Sequence, residues 1–240
     1  MRKAWTVGDF VLIWIGGTVA SVAMAAGLQG QDTGPGVMGL TALAAQFAGI
    51  FLVFWILRNR KRDADPVNFA IEPGDIKFAG LGMLLQIVAS LLLQPIARLV
   101  YPDGRPPQEI ADIIGSADTE SYIRIALFAA AVLFAPLTEE LMYRGVLFKA
   151  TRPLGPWVAI ITTSLVFTVV HILGLDPNNR LGSAAIVLPP LFALAVLLGW
   201  LTERTGRLGP ALFLHSGWNL LAALLLLIPT ELLEQAAAGS

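Results

Sequence analysis

The 240-residue chain is strongly apolar: 56% of its residues are hydrophobic, 14% are charged, and its mean hydropathy is +0.71. A soluble domain carries about a quarter charged residues. The formal net charge is −1 and no basic field is present, which argues against nucleic-acid binding. The absence of cysteine excludes disulfides, thiolate chemistry and sulfur-ligated metal sites. These properties indicate an integral membrane protein.

Apolar runs recur along nearly the whole chain, and each run of about 20 residues can cross a hydrocarbon core of about 30 Å as a helix. The sequence therefore predicts an all-α, polytopic transmembrane bundle of about seven spans in a single domain, 1–240. The predicted spans are Phe10–Leu28, Met38–Leu57, Phe78–Val100, Ile123–Leu147, Trp157–Leu173, Ala184–Leu201 and Pro210–Ile228. Pro189 and Pro190 predict a kink or break in the sixth span, with room there for an eighth, partial or re-entrant segment.

The distribution of basic residues predicts the orientation of the bundle. With a cytoplasmic N-terminus, the cytoplasmic segments carry Arg2, Lys3, Arg58, Arg60, Lys61, Arg62, Lys77, Lys149, Arg152, Arg204 and Arg207. The opposite side keeps Arg98, Arg105, Arg124 and Arg180, and it also carries an acidic stretch from Asp103 to Glu120. This asymmetry favours N-inside and C-outside. The first apolar run is longer than the roughly 7–15 residues of a signal peptide, so we expect an ordinary span. A short surface helix is expected over Pro106–Ser116.

Three spans contain polar side chains that hydrocarbon disfavours. Glu139 and Glu140 lie in the fourth span, His171 in the fifth, and His215 and Asn219 in the seventh. An Asp, Lys or Arg at a helix centre costs roughly 2.5–3.5 kcal/mol on insertion scales, and an ionisable residue within a membrane indicates a functional site. The convergence of several such groups in one small bundle favours a site over structure alone.

Helical spacing assigns these residues different roles. Glu140 and Arg144 are four residues apart on one helix face, which predicts an ion pair. Glu139 points about 100° away and lacks that partner, as suits a general base. His215 and Asn219 are also four residues apart and face one cavity. The alternative is structural: the ion pair locks helices together, and each histidine forms an interhelical hydrogen bond.

The three motifs resemble the CPBP family, which includes type II CAAX prenyl endopeptidases and bacteriocin-processing or immunity membrane proteins of the Abi group. The motifs are Glu139-Glu140-x-x-x-Arg144, Phe167-x-x-x-His171 and His215-x-x-x-Asn219, in this order along the chain. The resemblance covers 123–228 as a catalytic core, and 1–122 corresponds to the family's variable N-terminal spans. One such motif alone is a weak signal, whereas three in order are a strong one.

The resemblance implies an intramembrane hydrolase whose cavity opens toward the cytoplasm. Glu139 and His171 would activate a water, and His215 and Asn219 would stabilise the oxyanion. Glu140 and Arg144 would brace the helix that carries the base. Phe167, one turn before His171, is expected to form a wall of the site. The implied partners are the lipid bilayer and a peptide or lipidated-protein substrate, such as a CAAX-type protein or a bacteriocin precursor.

Three alternatives stay open at this point. Glu139, His171 and His215 form a ligand set that could hold zinc, although the His-Glu-x-x-His arrangement is absent, so glutamate-activated water without a cofactor is favoured. A non-catalytic immunity or scaffold protein is the second. A secondary transporter ranks last, because no matching pair of interrupted spans is present. The composition and compact loops are typical of a bacterial inner-membrane protein.

Overall fold

The computed structural model describes residues 4–31, 33–61, 66–102 and 120–226. Within these ranges the chain forms helices, turns and extended linkers without a β-strand, which confirms the predicted all-α class. The expected surface helix over Pro106–Ser116 and most of the acidic stretch lie outside the described residues. Six helical segments are long and apolar enough to span a membrane: Val7–Leu28, Pro35–Arg60, Pro73–Val100, Ser121–Leu154, Pro156–Gly174 and Arg180–Thr205. The helix Gly209–Leu226 corresponds to the seventh predicted span.

The first three helices precede the predicted core, and local sequence sets where they begin. Helix α1 (Val7–Leu28) follows a capping box in which Thr6 and Asp9 bond each other's backbone. Helix α2 (Pro35–Arg60) starts with proline, whose missing N–H is tolerated in the first turn. Helix α3 (Ile76–Val100) follows a single 3₁₀ turn.

The fourth span, Ser121–Leu154, is here called the carboxylate helix because it carries both glutamates. It consists of α4 (Ser121–Ala129), a π-helix (Ala130–Phe134), α5 (Ala135–Glu139), a second π-helix (Glu140–Leu147), α6 (Phe148–Thr151) and a 3₁₀ turn (Arg152–Leu154). π-Helical turns are rare and occur frequently at functional sites. Both motif glutamates therefore lie where the helix changes its winding.

The remaining core helices are α7, α8 and α9. Helix α7 (Pro156–Val170) leads into a 3₁₀ helix (His171–Gly174), and α9 is Gly209–Leu226. Helix α8 (Arg180–Thr205) continues through the two prolines, so a break in the sixth span is wrong, and the described residues contain no eighth segment there. The helix persists because Leu194, Ala195 and Leu198, which follow within about two turns of the prolines, are buried against neighbouring helices. Such packing stabilises a helix more than local propensity does.

Ion pairs and hydrogen bonds join the ends of the helices at one end of the bundle, here called the basic end. Lys61 Nζ lies 2.9 Å from Asp9 and donates to the Ala4 carbonyl. Arg207, in the α8–α9 turn, binds Asp75 at the start of α3. Hydrogen bonding to this carboxylate raises the pKa of the Arg207 guanidinium. The turns that carry these groups are thereby fixed to one another.

At the opposite end of the bundle, Tyr101 donates to Asp176 at 3.0 Å. Burial raises the pKa of this phenol, so it stays a neutral hydrogen-bond donor. The contact joins the residue after α3 to the loop before α8.

Helices α3 and α9 approach so closely that their backbones touch at two glycines. A Cβ atom on Gly82 would clash with the carbonyl oxygen of Leu214, and one on Gly217 would clash with the carbonyl oxygen of Ala79. Small residues allow such close approach of transmembrane helices. Because His215 lies between Leu214 and Gly217, this contact fixes the height and rotation of that histidine.

Replacement of Gly82 by alanine is expected to lower the free energy of unfolding by about 1–3 kcal/mol, because α9 must move away from α3. The matched control is Gly80→Ala on the same helix, where an added Cβ meets nothing within 4 Å. At an exposed helix position alanine is more favourable than glycine by about 1 kcal/mol, so this control should be neutral or stabilising. Thermal unfolding in detergent checks both variants. Equal destabilisation by the two would contradict the close α3–α9 contact.

Candidate active site

The Glu140 carboxylate is the centre of the polar cluster. This residue is 1% exposed, and its Oε1 accepts a hydrogen bond from Arg144 Nη1 at 3.0 Å. The ion pair predicted from the i, i+4 spacing is therefore present. The same oxygen lies 2.9 Å from His215 Nδ1. Since a carboxylate only accepts, the ring nitrogen is the donor in this contact. The spacing within one helix does not predict the bond between Glu140 and His215, because the two residues lie 75 positions apart on different helices.

Arg144 joins this cluster to α8. Its side chain is completely buried, and Nη2 donates to the carbonyl oxygen of Ala195 at 3.0 Å. Its guanidinium carbon lies 4.8 Å from the centroid of the Phe167 ring. The Arg144 Nε atom and the Glu140 Oε2 atom are buried without a hydrogen-bond partner in the described part of the chain. The pair is thus held between three helices and shielded from solvent.

Glu139 is the more accessible of the two glutamates. Its side chain is 27% exposed, and its Oε2 lies 3.5 Å from His215 Nε2. The His215 ring therefore lies between two carboxylates, with Nδ1 on Glu140 and Nε2 facing Glu139.

The fully buried Phe167 ring contacts the rings of both histidines. Its centroid lies 4.6 Å from the His171 ring and 5.8 Å from the His215 ring. His171 Nδ1 lies 2.7 Å from the Phe167 carbonyl oxygen, so this nitrogen donates. In the neutral imidazole Nε2 is then an acceptor. No described hydrogen bond or ion pair joins His171 to either glutamate, so its predicted role beside Glu139 requires an intervening water.

Asn219 lies one turn beyond His215 on α9 and contacts the backbone of the carboxylate helix. Its Nδ2 donates to the carbonyl oxygen of Ala131 at 2.9 Å. Ala131 belongs to the first π-helical segment, Ala130–Phe134. His215 and Asn219 are therefore both bonded to the carboxylate helix, His215 to a side chain and Asn219 to the main chain. No spacing within one helix predicts the contact between Asn219 and Ala131, because the two residues lie 88 positions apart on different helices.

The predicted zinc ligands do not form a metal-binding group as they are placed. Among the described residues, no three His, Asp or Glu side chains are arranged to hold a metal ion. Glu139 approaches His215, whereas His171 is bonded to the Phe167 backbone. Zinc binding by these three residues stays a prediction for experiment.

Together, the fold and the buried cluster define a multi-pass membrane protein with a polar site inside the helix bundle. The family model "Type II CAAX prenyl endopeptidase Rce1-like" matches residues 121–221. This match confirms the family resemblance indicated by the motifs, all of which lie within the matched segment. The family supports a membrane peptidase, that is, a hydrolase that acts on peptides in a lipid environment. No curated protein and no solved structure matches the chain.

Proposed function

We propose that the chain is an intramembrane endopeptidase that hydrolyses a peptide bond with a water activated by Glu139. The observation that carries this proposal is the His215 ring held between Glu139 and Glu140 inside the bundle. One carboxylate is buried in an ion pair, and the adjacent one is accessible. This arrangement supplies a fixed hydrogen-bond donor beside an accessible base, as hydrolysis requires.

In the proposed reaction, Glu139 takes a proton from a water whose oxygen attacks the carbonyl carbon of the scissile bond. His171 Nε2 accepts the second hydrogen of that water and orients it, because its Nδ1–H is already bonded to Phe167. A tetrahedral intermediate with a negatively charged oxygen results. The carbon–nitrogen bond then breaks, and Glu139 returns its proton to the leaving amine, which balances the step.

His215 stabilises the charge that develops on that oxygen. Its Nδ1–H is fixed by Glu140, so in the protonated ring Nε2–H points toward Glu139. When Glu139 becomes neutral by taking the proton from water, Nε2–H is available to the oxyanion. The resemblance implies Asn219 as a second donor. One hydrogen of its amide is bonded to the Ala131 carbonyl.

The basic end of the bundle is proposed to face the cytoplasm. The described cations at this end are Arg58, Arg60, Lys61, Lys77, Lys149, Arg152, Arg204 and Arg207, against Arg98, Arg124 and Arg180 at the other. Basic residues concentrate in cytoplasmic loops. The substrate is then a peptide or a lipidated protein presented at the cytoplasmic face, with CAAX-type and bacteriocin-type peptides as the two classes to compare.

Cleavage of a defined peptide panel tests this function. Purified wild-type protein in lipid is incubated with prenylated and unprenylated CAAX-type peptides and bacteriocin precursors, with and without a chelator, and products are identified by mass. We expect cleavage that the chelator leaves unchanged. Loss of cleavage with the chelator, restored by zinc, would move the mechanism to the metal alternative. Partner binding or immunity without cleavage of any peptide would favour the non-catalytic alternative.

A further inference from the structure

The backbone of the carboxylate helix lacks one donor directly before the glutamates. The N–H of Ala135 donates to the carbonyl of Ala130, five residues earlier, in the π-helical pattern. Pro136 has no N–H to donate. The carbonyl of Ala131 therefore has no backbone donor either four or five residues later. Within a membrane no bulk water is present to satisfy such a group.

Asn219 supplies the missing donor from a different helix. Its Nδ2 lies 2.9 Å from the Ala131 carbonyl oxygen. Asn219 and His215 are four residues apart on α9, and their partners Ala131 and Glu140 follow in the reverse order along the carboxylate helix. The two antiparallel helices are thus joined at two points, and these set their relative height and rotation.

We propose that Asn219 is a positioning residue, which holds the carboxylate helix in register with α9 by donating to the Ala131 carbonyl that Pro136 leaves without a backbone donor. This inference rests on the proposed function for its effect on rate, but the hydrogen bond itself is independent of it. Loss of the Asn219 amide lets the π-helical segment shift against α9. Glu139 and His215 then lose their mutual placement, although neither residue is changed.

A double-mutant cycle with Pro136 tests the proposal. Pro136→Ala restores a backbone N–H and should fold, since alanine is the best helix former. In the natural background, Asn219→Ala is expected to lower kcat roughly 10- to 100-fold with KM unchanged, the range for one unpartnered buried group. It should also lower the unfolding temperature. In the Pro136→Ala background, both effects should shrink to about threefold or less and to a small temperature change.

Asn68→Ala is the matched control, because Asn68 also donates its side-chain amide to a backbone carbonyl, that of Gly206 at the basic end. Its effect should be the same in both backgrounds. Equal losses for Asn219→Ala with and without Pro136 would overturn the proposal and favour direct contact with the oxyanion.

Two further measurements keep the test independent of activity and of Pro136. If the wild type cleaves no peptide, the proposed function fails. The unfolding temperatures of the wild type and the Asn219 and Pro136 variants still decide whether Asn219 is bonded to the Ala131 carbonyl. Asn219→Asp places a second acceptor against the Ala131 carbonyl. It is expected to lower the unfolding temperature further than Asn219→Ala does, and an unfolding temperature equal to that of the wild type would contradict the hydrogen bond.

Discussion

Replacing Arg144 with alanine is expected to lower the free energy of unfolding by about 3–5 kcal/mol, because it leaves the Glu140 carboxylate buried without its cation. Arg144 is fully buried and also bonds the Ala195 carbonyl, so its removal takes the hydrogen-bond donor away from two buried acceptors. One Glu140 oxygen already lacks a partner. Chemical or thermal unfolding in detergent measures the loss, and peptide cleavage should disappear with it.

The control for Arg144 is an arginine paired at the protein surface. Arg152 binds Glu203 at 2.6 Å, but its side chain is 45% exposed. Exposed pairs contribute about 0–1 kcal/mol, so Arg152→Ala should change stability little. Arg144→Lys should be intermediate, since an ammonium group keeps the charge but cannot reproduce the geometry of the guanidinium contacts. Similar losses of unfolding free energy for Arg144→Ala and Arg152→Ala would contradict the role of Arg144 as the buried partner of Glu140.

Replacing Glu139 with glutamine is expected to lower the cleavage rate by about 10²–10⁴, the contribution of a positioned general base. Stability should change little, because the side chain is 27% exposed and its nearest described partner, His215 Nε2, lies 3.5 Å away. Glu140→Gln is the informative comparison. It removes the negative charge between Arg144 and His215, so it should lower both stability and activity. If the two variants were alike in stability, the assignment of Glu139 as an accessible base and Glu140 as a bracing carboxylate would be wrong.

The transmembrane fold was predictable because its signal is local. A run of about 20 apolar residues identifies a span without knowledge of its neighbours. All seven predicted spans correspond to helices of the structure. Of the kink or break predicted at Pro189 and Pro190, the break was wrong, because the helix is held by tertiary packing of residues such as Leu194 and Leu198. Such packing cannot be read from the proline positions alone.

The candidate site was predictable only within each helix. The spacing of Glu140 and Arg144 predicts their ion pair, which the structure contains. The bond between Glu140 and His215 depends on how two helices are placed against each other, and no spacing within one helix contains that information. Pro136 did offer an unused signal. A proline within a transmembrane helix frees a carbonyl, and a polar side chain on a neighbouring helix is the expected partner.

The most direct test of the central claim compares wild type with Glu139→Gln in liposomes, with a peptide that the wild type cleaves. Glu203→Gln, a glutamate at the basic end, is the control. Product is quantified by mass spectrometry, and the unfolding temperature of each protein is measured in parallel. We predict that wild type and control cleave at similar rates and that Glu139→Gln, equally stable, is slower by about 10²-fold or more. Cleavage by Glu139→Gln at the wild-type rate would contradict the account.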